Sequence, residues 1–466
     1  MIPFRWQMIL WLAVCLVAAP GARAQKDPHI GYIYPAGGRQ GTTIEVTVGG
    51  QYLEGVTDVF VSGEGIQATV VQHIKPLNKK QLGEQRARLK DLQKKVREEK
   101  QNRREGGNRG RGGMSAAPAD SLDWMAGAEK EIAELRKRLF DPKKQPNPQI
   151  AESVVMQIRL APDAELDERE VRLKGKFGLS NPLSFYVGQL PEYDEVEPND
   201  RAADSGIPGA LPLLLNGQIM PGDVDCFPFR ARKGGRLVAA VMARELIPYL
   251  ADAVPGWFQA TLALYDTHGN EVAYADDYRF HPDPILLYEI PEDGDFVLEI
   301  RDAIYRGRKD FVYRIALGEL PFVTSIFPMG ARVGTRPTVE VRGWNLPVDR
   351  LRPNTKDRGA GIYPVTIGKG VSNRVPFALD TLPEYLEAEP NSESGRAQKI
   401  LLPQIINGRI DRPGDRDVFR FEGRAGDEIV AEVYARRLNS PLDSALRLID
   451  ATGRELMAND DYEDRG

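Results

Sequence analysis

The chain repeats itself, and this constrains its fold more than any other property. Glu195-Val196-Glu197-Pro198-Asn199 returns as Glu387-Ala388-Glu389-Pro390-Asn391, at an offset of 192 residues. Gly222-Asp223-Val224-Asp225-Cys226-Phe227 returns at the same offset as Gly414-Asp415-Arg416-Asp417-Val418-Phe419. Asp276-Asp277 matches Asp460-Asp461 at an offset of 184, so the second copy is shorter between these points. Upstream, residues 28–41 match residues 321–334 at an offset of 293. Two kinds of module therefore alternate in the order A-B-A-B. The first B module runs to about Gly318, and its counterpart would end near residue 502. The sequence stops at Gly466, so the second B copy is expected to be incomplete and the chain a fragment of a longer protein.

Both modules read as strands. In module A, residues 43–48 (TIEVTV) alternate apolar and polar with period two before the turn at Gly49-Gly50. In module B, residues 236–241, 260–265 and 295–300 are strand candidates separated by turn sequences such as residues 266–270 (DTHGN). With 45 Gly and 34 Pro the chain turns often, which favours short strands packed as sandwiches. The 466 residues leave room for about two to five domains. Four histidines and two cysteines exclude Cys-rich zinc modules and a disulfide framework.

One segment departs from this plan. Residues 78–113 carry thirteen basic and five acidic residues in a chain whose formal charge is -5. Leu82, Leu89, Leu92 and Val96 share a helical face, and Met125, Ala128, Ile132, Leu135 and Leu139 recur at spacings of three and four. Residues 78–145 thus read as a helical hairpin or short coiled coil inserted in the first A module. Its Gly106–Gly113 stretch is expected to be flexible, and a coiled-coil partner is one expected use of the arm.

The N-terminus reads as an export signal: Arg5, an apolar run over residues 8–19, and Ala22-Arg23-Ala24 before Gln25. The run is too short to span a bilayer, so no transmembrane segment is expected after cleavage. The protein is expected in the periplasm, at the cell surface or outside the cell, and no nucleic acid partner is expected. Cys226, then the single cysteine, reads as a buried thiol in a strand.

Glu-x-Glu-Pro-Asn, then Gly-Asp-x-Asp-x-Phe, then Asp-Asp, each present twice in order, resembles the bacterial pre-peptidase C-terminal (PPC) domain family. Module A resembles an immunoglobulin-like fold of the IPT/TIG type, through Pro-x-x-Gly and then Gly-x-x-Leu at Gly50/Leu53 and Gly343/Leu346. The tandem order is similar to that of large exported proteins of the planctomycete type. The resemblance implies a mainly β chain of tandem sandwiches, Ig-like for A and jelly-roll-like for B. The expected division is a signal peptide at 1–24, an Ig-like module at 25–190 with the helical insertion, and a PPC-like sandwich at 191–320. A shortened Ig-like module at 321–383 and a truncated PPC-like sandwich at 384–466 follow.

Carboxylates are dense where the repeats are strongest. Glu195, Glu197, Asn199 and Asp200 lie within six residues, and Asp223 and Asp225 lie in a turn of the same module. In an extended strand, Glu195, Glu197 and Asn199 share one face. With the two turn aspartates they approach the six to eight oxygens that calcium takes. In the second copy Glu387, Glu389, Asn391, Asp415 and Asp417 persist while Ser392 replaces the aspartate, so a weaker site is expected there. The resemblance also implies calcium, since related collagen-binding domains hold it at the matching positions. Residues 1–466 contain no His-Glu-x-x-His, no Gly-x-Ser-x-Gly and no phosphate loop. The expected function is non-catalytic binding of extracellular protein or polysaccharide by calcium-stabilised modules. The alternative is the accessory region of a secreted peptidase or other hydrolase whose catalytic domain lies outside this chain.

Overall fold

The structure, a computed structural model, describes residues 27–77, 79–109, 119–140, 147–206, 208–247, 257–368 and 372–460. The segment read as an export signal lies outside the described residues. The chain is mainly β, folded as tandem sandwiches, with two α-helices among the described residues.

Nine strands build the first sandwich: β1 (His29–Tyr34), β2 (Gly37–Arg39), β3 (Thr43–Gln51), β4 (Asp58–Val61), β5 (Ile66–Ile74), β6 (Glu152–Leu160), β7 (Asp167–Gly175), β8 (Gly178–Leu179) and β9 (Leu183–Gly188). One sheet has the order β1-β3-β6-β5 and the other β2-β9-β7-β4, with β8 beside β7. The period-two pattern at 43–48 sends Val46 and Val48 into a core with Met156, Ile158, Leu173 and Phe185. Each such burial contributes about 1.5–3 kcal/mol.

Between β5 and β6 the chain leaves the sandwich as α1 (Lys79–Arg109) and α2 (Ala119–Phe140). Leu92, Val96 and Ala128 are buried between the helices, with Ile132 and Leu135 against them. Part of the stretch expected to be flexible is helical: α1 continues through Gly106 and Gly107 to Arg109. A glycine costs about 1 kcal/mol against alanine in a helix but keeps its backbone hydrogen bonds, so two of them need not end one. The remainder of that stretch lies outside the described residues.

The next nine strands are β10 (Glu192–Asp194), β11 (Leu213–Gln218), β12 (Val224–Ala231), β13 (Arg236–Met242), β14 (Ala260–Tyr265), β15 (Glu271–Ala275), β16 (Ile285–Glu289), β17 (Gly294–Asp302) and β18 (Val312–Gly318). They form sheets β10-β11-β18-β13-β16 and β12-β17-β14-β15, so β17 and β18, the last two strands of this sandwich in chain order, are interior strands. Phe227, Phe229, Phe296 and Tyr313 fill the space between the sheets. The two sandwiches meet through Tyr32, Ala36 and Ile150 on one side and Leu246 and Val312 on the other. Arg314 of β18 is buried at this junction, 2.9 Å from Glu192. A Cβ on Gly37 would fall on the Arg314 guanidinium, which is why β2 carries glycine there.

The second half starts with β19 (Phe322–Phe327), β20 (Gly330–Arg332), β21 (Val339–Trp344), β22 (Arg350–Leu351), β23 (Gly361–Val365) and β24 (Val375–Asp380), around Val339, Val341, Phe377 and Leu379. Phe322 and Trp344 pack on the outer face of β13 and β18, beside Val238 and Ala316. Last come β25 (Glu384–Leu386), β26 (Gln398–Lys399), β27 (Ile405–Asn407), β28 (Phe419–Arg420), β29 (Leu446–Ile449) and β30 (Glu455–Asn459). These pair only two by two, β25 with β27, β26 with β28, and β29 with β30. Counterparts of β17 and β18 are not among the described residues. Leu401, Val430, Leu448 and Met457 are exposed.

Candidate metal site

The carboxylates of the first B module gather where the chain enters the sandwich. β10 ends at Asp194, and residues 195–199 lie outside any strand. Glu195, Glu197 and Asn199 do not share one face, as an extended strand would require: they differ in burial and in what they bond. Glu195 points inward: its Oε1 accepts from the Gln218 backbone N–H at 2.7 Å, and its Oε2 lies 3.1 Å from Tyr313 Oη. Glu197 is exposed, while Asn199 is buried at 2% exposure. With its amide nitrogen turned inward, Asn199 donates to Glu197 Oε2 at 3.0 Å and to Asp225 Oδ1 at 3.1 Å.

Asp223 and Asp225 come from the tight turn into β12 and its first residues. Both are fully buried. Asp223 Oδ2 accepts from the Met220 backbone N–H at 3.0 Å, which fixes the turn. Asp225 Oδ2 accepts from Tyr313 Oη at 2.5 Å. Oxygens of Glu197, Asp223 and Asp225 lie within 4.8 Å of one another. Asp200 is exposed and stands outside this trio; its carbonyl faces the Cys226 thiol at 3.6 Å. Burial pushes that thiol up to about 12, so it is not a thiolate ligand at neutral pH.

Burial also pushes the Glu195 carboxyl up to about 7, against its hydrogen bonds, which pull it down. Asp225 is raised well above the carboxylate range, by burial first and by the Glu195 charge next. The hydrogen bonds give the same answer. Tyr313 has one hydroxyl proton, so it satisfies one carboxylate. Its second carboxyl neighbour is favourable only when that carboxyl holds a proton. Two buried carboxyls and a phenol thus keep an extra proton, or else need a cation.

The second copy rebuilds the cluster with fewer partners. Oxygens of Glu387, Glu389 and Asp417 lie within 4.8 Å of one another, as do those of Glu389, Asp411 and Asp415. Glu387 Oε1 accepts from the Arg409 N–H at 2.5 Å, and Ser392 Oγ donates to Asp415 Oδ1 at 3.1 Å. Glu387 Oε2, Asp417 Oδ1 and both side-chain polar atoms of the fully buried Asn391 have no hydrogen-bond partner. Burial raises Glu387 to about 7 and lifts Asp417 too, whereas the Asp411 backbone N–H holds Asp415 below its ordinary value.

Two participants escape a motif-level reading. Tyr313 lies more than a hundred residues from Glu195, and nothing local marks it. Asp411 was within reach: aligning Ile410-Asp411 with Ile219-Met220, with a one-residue gap before Gly414, puts a carboxylate where the first copy has methionine.

The donors fit a hard divalent cation. Carboxylate oxygens suit calcium or magnesium over thiophilic metals. A largest separation of 4.8 Å is about twice a calcium–oxygen bond of 2.3–2.6 Å, so one ion can touch all three oxygens.

No protein-family model matches the chain. It is 41% identical over 133 residues to a protein of Deinococcus radiodurans described as a probable subtilase-type serine protease. That match covers 27% of this chain and spans only 18% of the length of the relative. Among solved structures, it is similar to the pre-peptidase C-terminal domain of a Bacillus anthracis collagenase. There the TM-score is 0.18 and the identity 12%, over 27% of this chain and 92% of that one. The secreted serine protease VesC of Vibrio cholerae gives a TM-score of 0.17 at 11% identity, over 63% of this chain and 50% of that one.

Proposed function

We propose that residues 191–320 and 384–466 are calcium-stabilised, non-catalytic PPC-like modules of an exported protein. They alternate with Ig-like modules at 25–190 and 321–383 and recognise extracellular protein or polysaccharide. The observation that carries the reading is the oxygen cluster of the first B module, where oxygens of Glu197, Asp223 and Asp225 lie within 4.8 Å of one another and both aspartates are fully buried. Carboxylates this close and this buried are costly as anions without a counter-charge, and a cation supplies one. In the first module Glu197, Asp223 and Asp225, with Asn199 beside them, would hold the ion. Its contribution is to neutralise charge that burial otherwise forces to be protonated.

The test is calorimetry of the full chain with calcium, with magnesium and with chelator. Calcium is expected to raise the melting of the first B module by mass action, and Glu197→Gln, an exposed change, to remove most of that gain. An unmoved melting curve together with no heat of binding ends the proposal.

A second reading makes the chain the accessory region of a secreted subtilase-type peptidase. The Deinococcus radiodurans relative supports it. Secretion and activity assays of a subtilase-type peptidase domain, produced with and without these modules fused to it, test it. Equal activity on soluble and insoluble substrates with and without these modules counts against it.

A further inference from the structure

The helical arm carries a charge pattern that the sandwiches do not use. Lys79, Arg86, Lys90 and Arg97 of α1 are exposed and form no ion pair among the described residues. Their spacings of seven, four and seven place all four within about 20° of one line along the helix. The line is about 27 Å long, with charges about 6 and 10 Å apart. The acidic residues sit elsewhere: Glu84, Asp91 and Glu98 fall about 100–140° around the helix. Of these, Asp91 pairs with Lys95 at 2.8 Å and Glu98 with Lys94 at 3.8 Å. Arg88 and Lys100 pair across the hairpin with Glu131 and Glu129. Arg88, Lys94, Lys95 and Lys100 are thus engaged off the line, and the line itself is left to solvent.

We propose that this stripe is a docking surface for a linear acidic polysaccharide. A straight row of cations complements one extended chain of anions, each contact releasing a counterion. Single-stranded nucleic acid fits less well, because α1 has no aromatic residue on which bases could stack. A lipid surface fits less well too: the apolar residues Leu89, Leu92 and Val96 are buried in the hairpin and cannot insert. Among the linear anions left, a polysaccharide is the one an exported chain meets. That choice rests on the export reading above and is independent of the metal site.

The experiment titrates the full chain, without calcium, with heparin and polygalacturonate over a range of salt. The wild type is expected to bind, with a slope of log K against log salt of about -3, as four released counterions imply. The variant K79Q/R86Q/K90Q/R97Q is expected to lose at least about tenfold in affinity and most of the slope. K80Q/K94Q/K95Q/K100Q removes the same charge from the same helix off the line and is expected to lose about threefold or less. Circular dichroism of both variants checks that the helices persist; if the first variant unfolds, the single changes R86Q and R97Q are read instead. Equal loss in the two quadruple variants overturns the proposal, since net charge alone would then explain binding. So does absence of binding by the wild type, or equally tight binding of single-stranded DNA, poly-glutamate or anionic vesicles.

Discussion

The two copies of module B share a cluster and differ in what closes over it. In the first, Tyr313 on the interior strand β18 reaches both Asp225 and Glu195. In the second, the described residues hold no such strand, and Glu387, Asp417 and Asn391 keep orphaned polar atoms. In the first copy, then, the motif recruits the oxygens and a strand much later in the chain supplies the donor that two of its carboxyls share.

Removing the phenol should erase this difference. Tyr313→Phe leaves the ring and the cavity but strips the donor from a buried carboxyl pair. A loss of about 3 kcal/mol in the first B module is expected in chelator, read by calorimetry of its transition. Calcium should restore much of it if the cation takes over the phenol's role. A loss below a few tenths would mean that the pair is already satisfied by other groups.

Acidity probes the pair next. Glu195 sits near 7 in the folded module and near 4.5 when exposed, so the native state holds more protons between those values. Stability from this group is full below about 4.5 and is lost as the pH rises through about 7. Without metal the module should lose up to about 3 kcal/mol across that window. Calcium should flatten or reverse the trend, because it binds the ionised form. Thermal melts at steps from pH 5 to 8, with and without chelator, show which.

Met220→Asp sharpens the comparison from the other side by giving the first copy the carboxylate that Asp411 supplies to the second. Without metal it should cost about 1 kcal/mol through like-charge repulsion. With metal, calorimetric titration should show tighter calcium binding. The smallest effect belongs to the arm, which the second A module lacks. Replacing residues 78–145 with a short Gly/Ser linker should change the stability of the first sandwich by less than about 1 kcal/mol, since closing a surface loop costs little entropy. A larger fall would show that the helices brace the sandwich.

Much of this was legible in the sequence because repeats and period-two patterns are local. Residues 43–48, 236–241, 260–265 and 295–300 all lie in strands, and Leu92, Val96 and Ala128 do meet across the hairpin. The conformation after Asp194 was not legible, because the strand stops there and side chains outside a strand no longer alternate with period two. Nor was the role of Tyr313, since sheet order decides which distant strand lies opposite a turn. Arg314 was illegible for the same reason: nothing local marks this arginine as buried.

That arginine has a consequence for how such a chain can change. Arg314 belongs to one sandwich, and the glycine that makes room for it belongs to the other, so each is moulded to its neighbour. In the second half Asn407 accepts from the Met329 backbone N–H, and Arg409 lies over the Phe327 ring at 3.8 Å, so that junction is keyed as well. Genetic shuffling that separated A from B would leave a charged key without its slot. The junction between the couples is packed as well, by Phe322 and Trp344 against Val238 and Ala316, so each sandwich is moulded to the one before it and a change of order would unmake a junction.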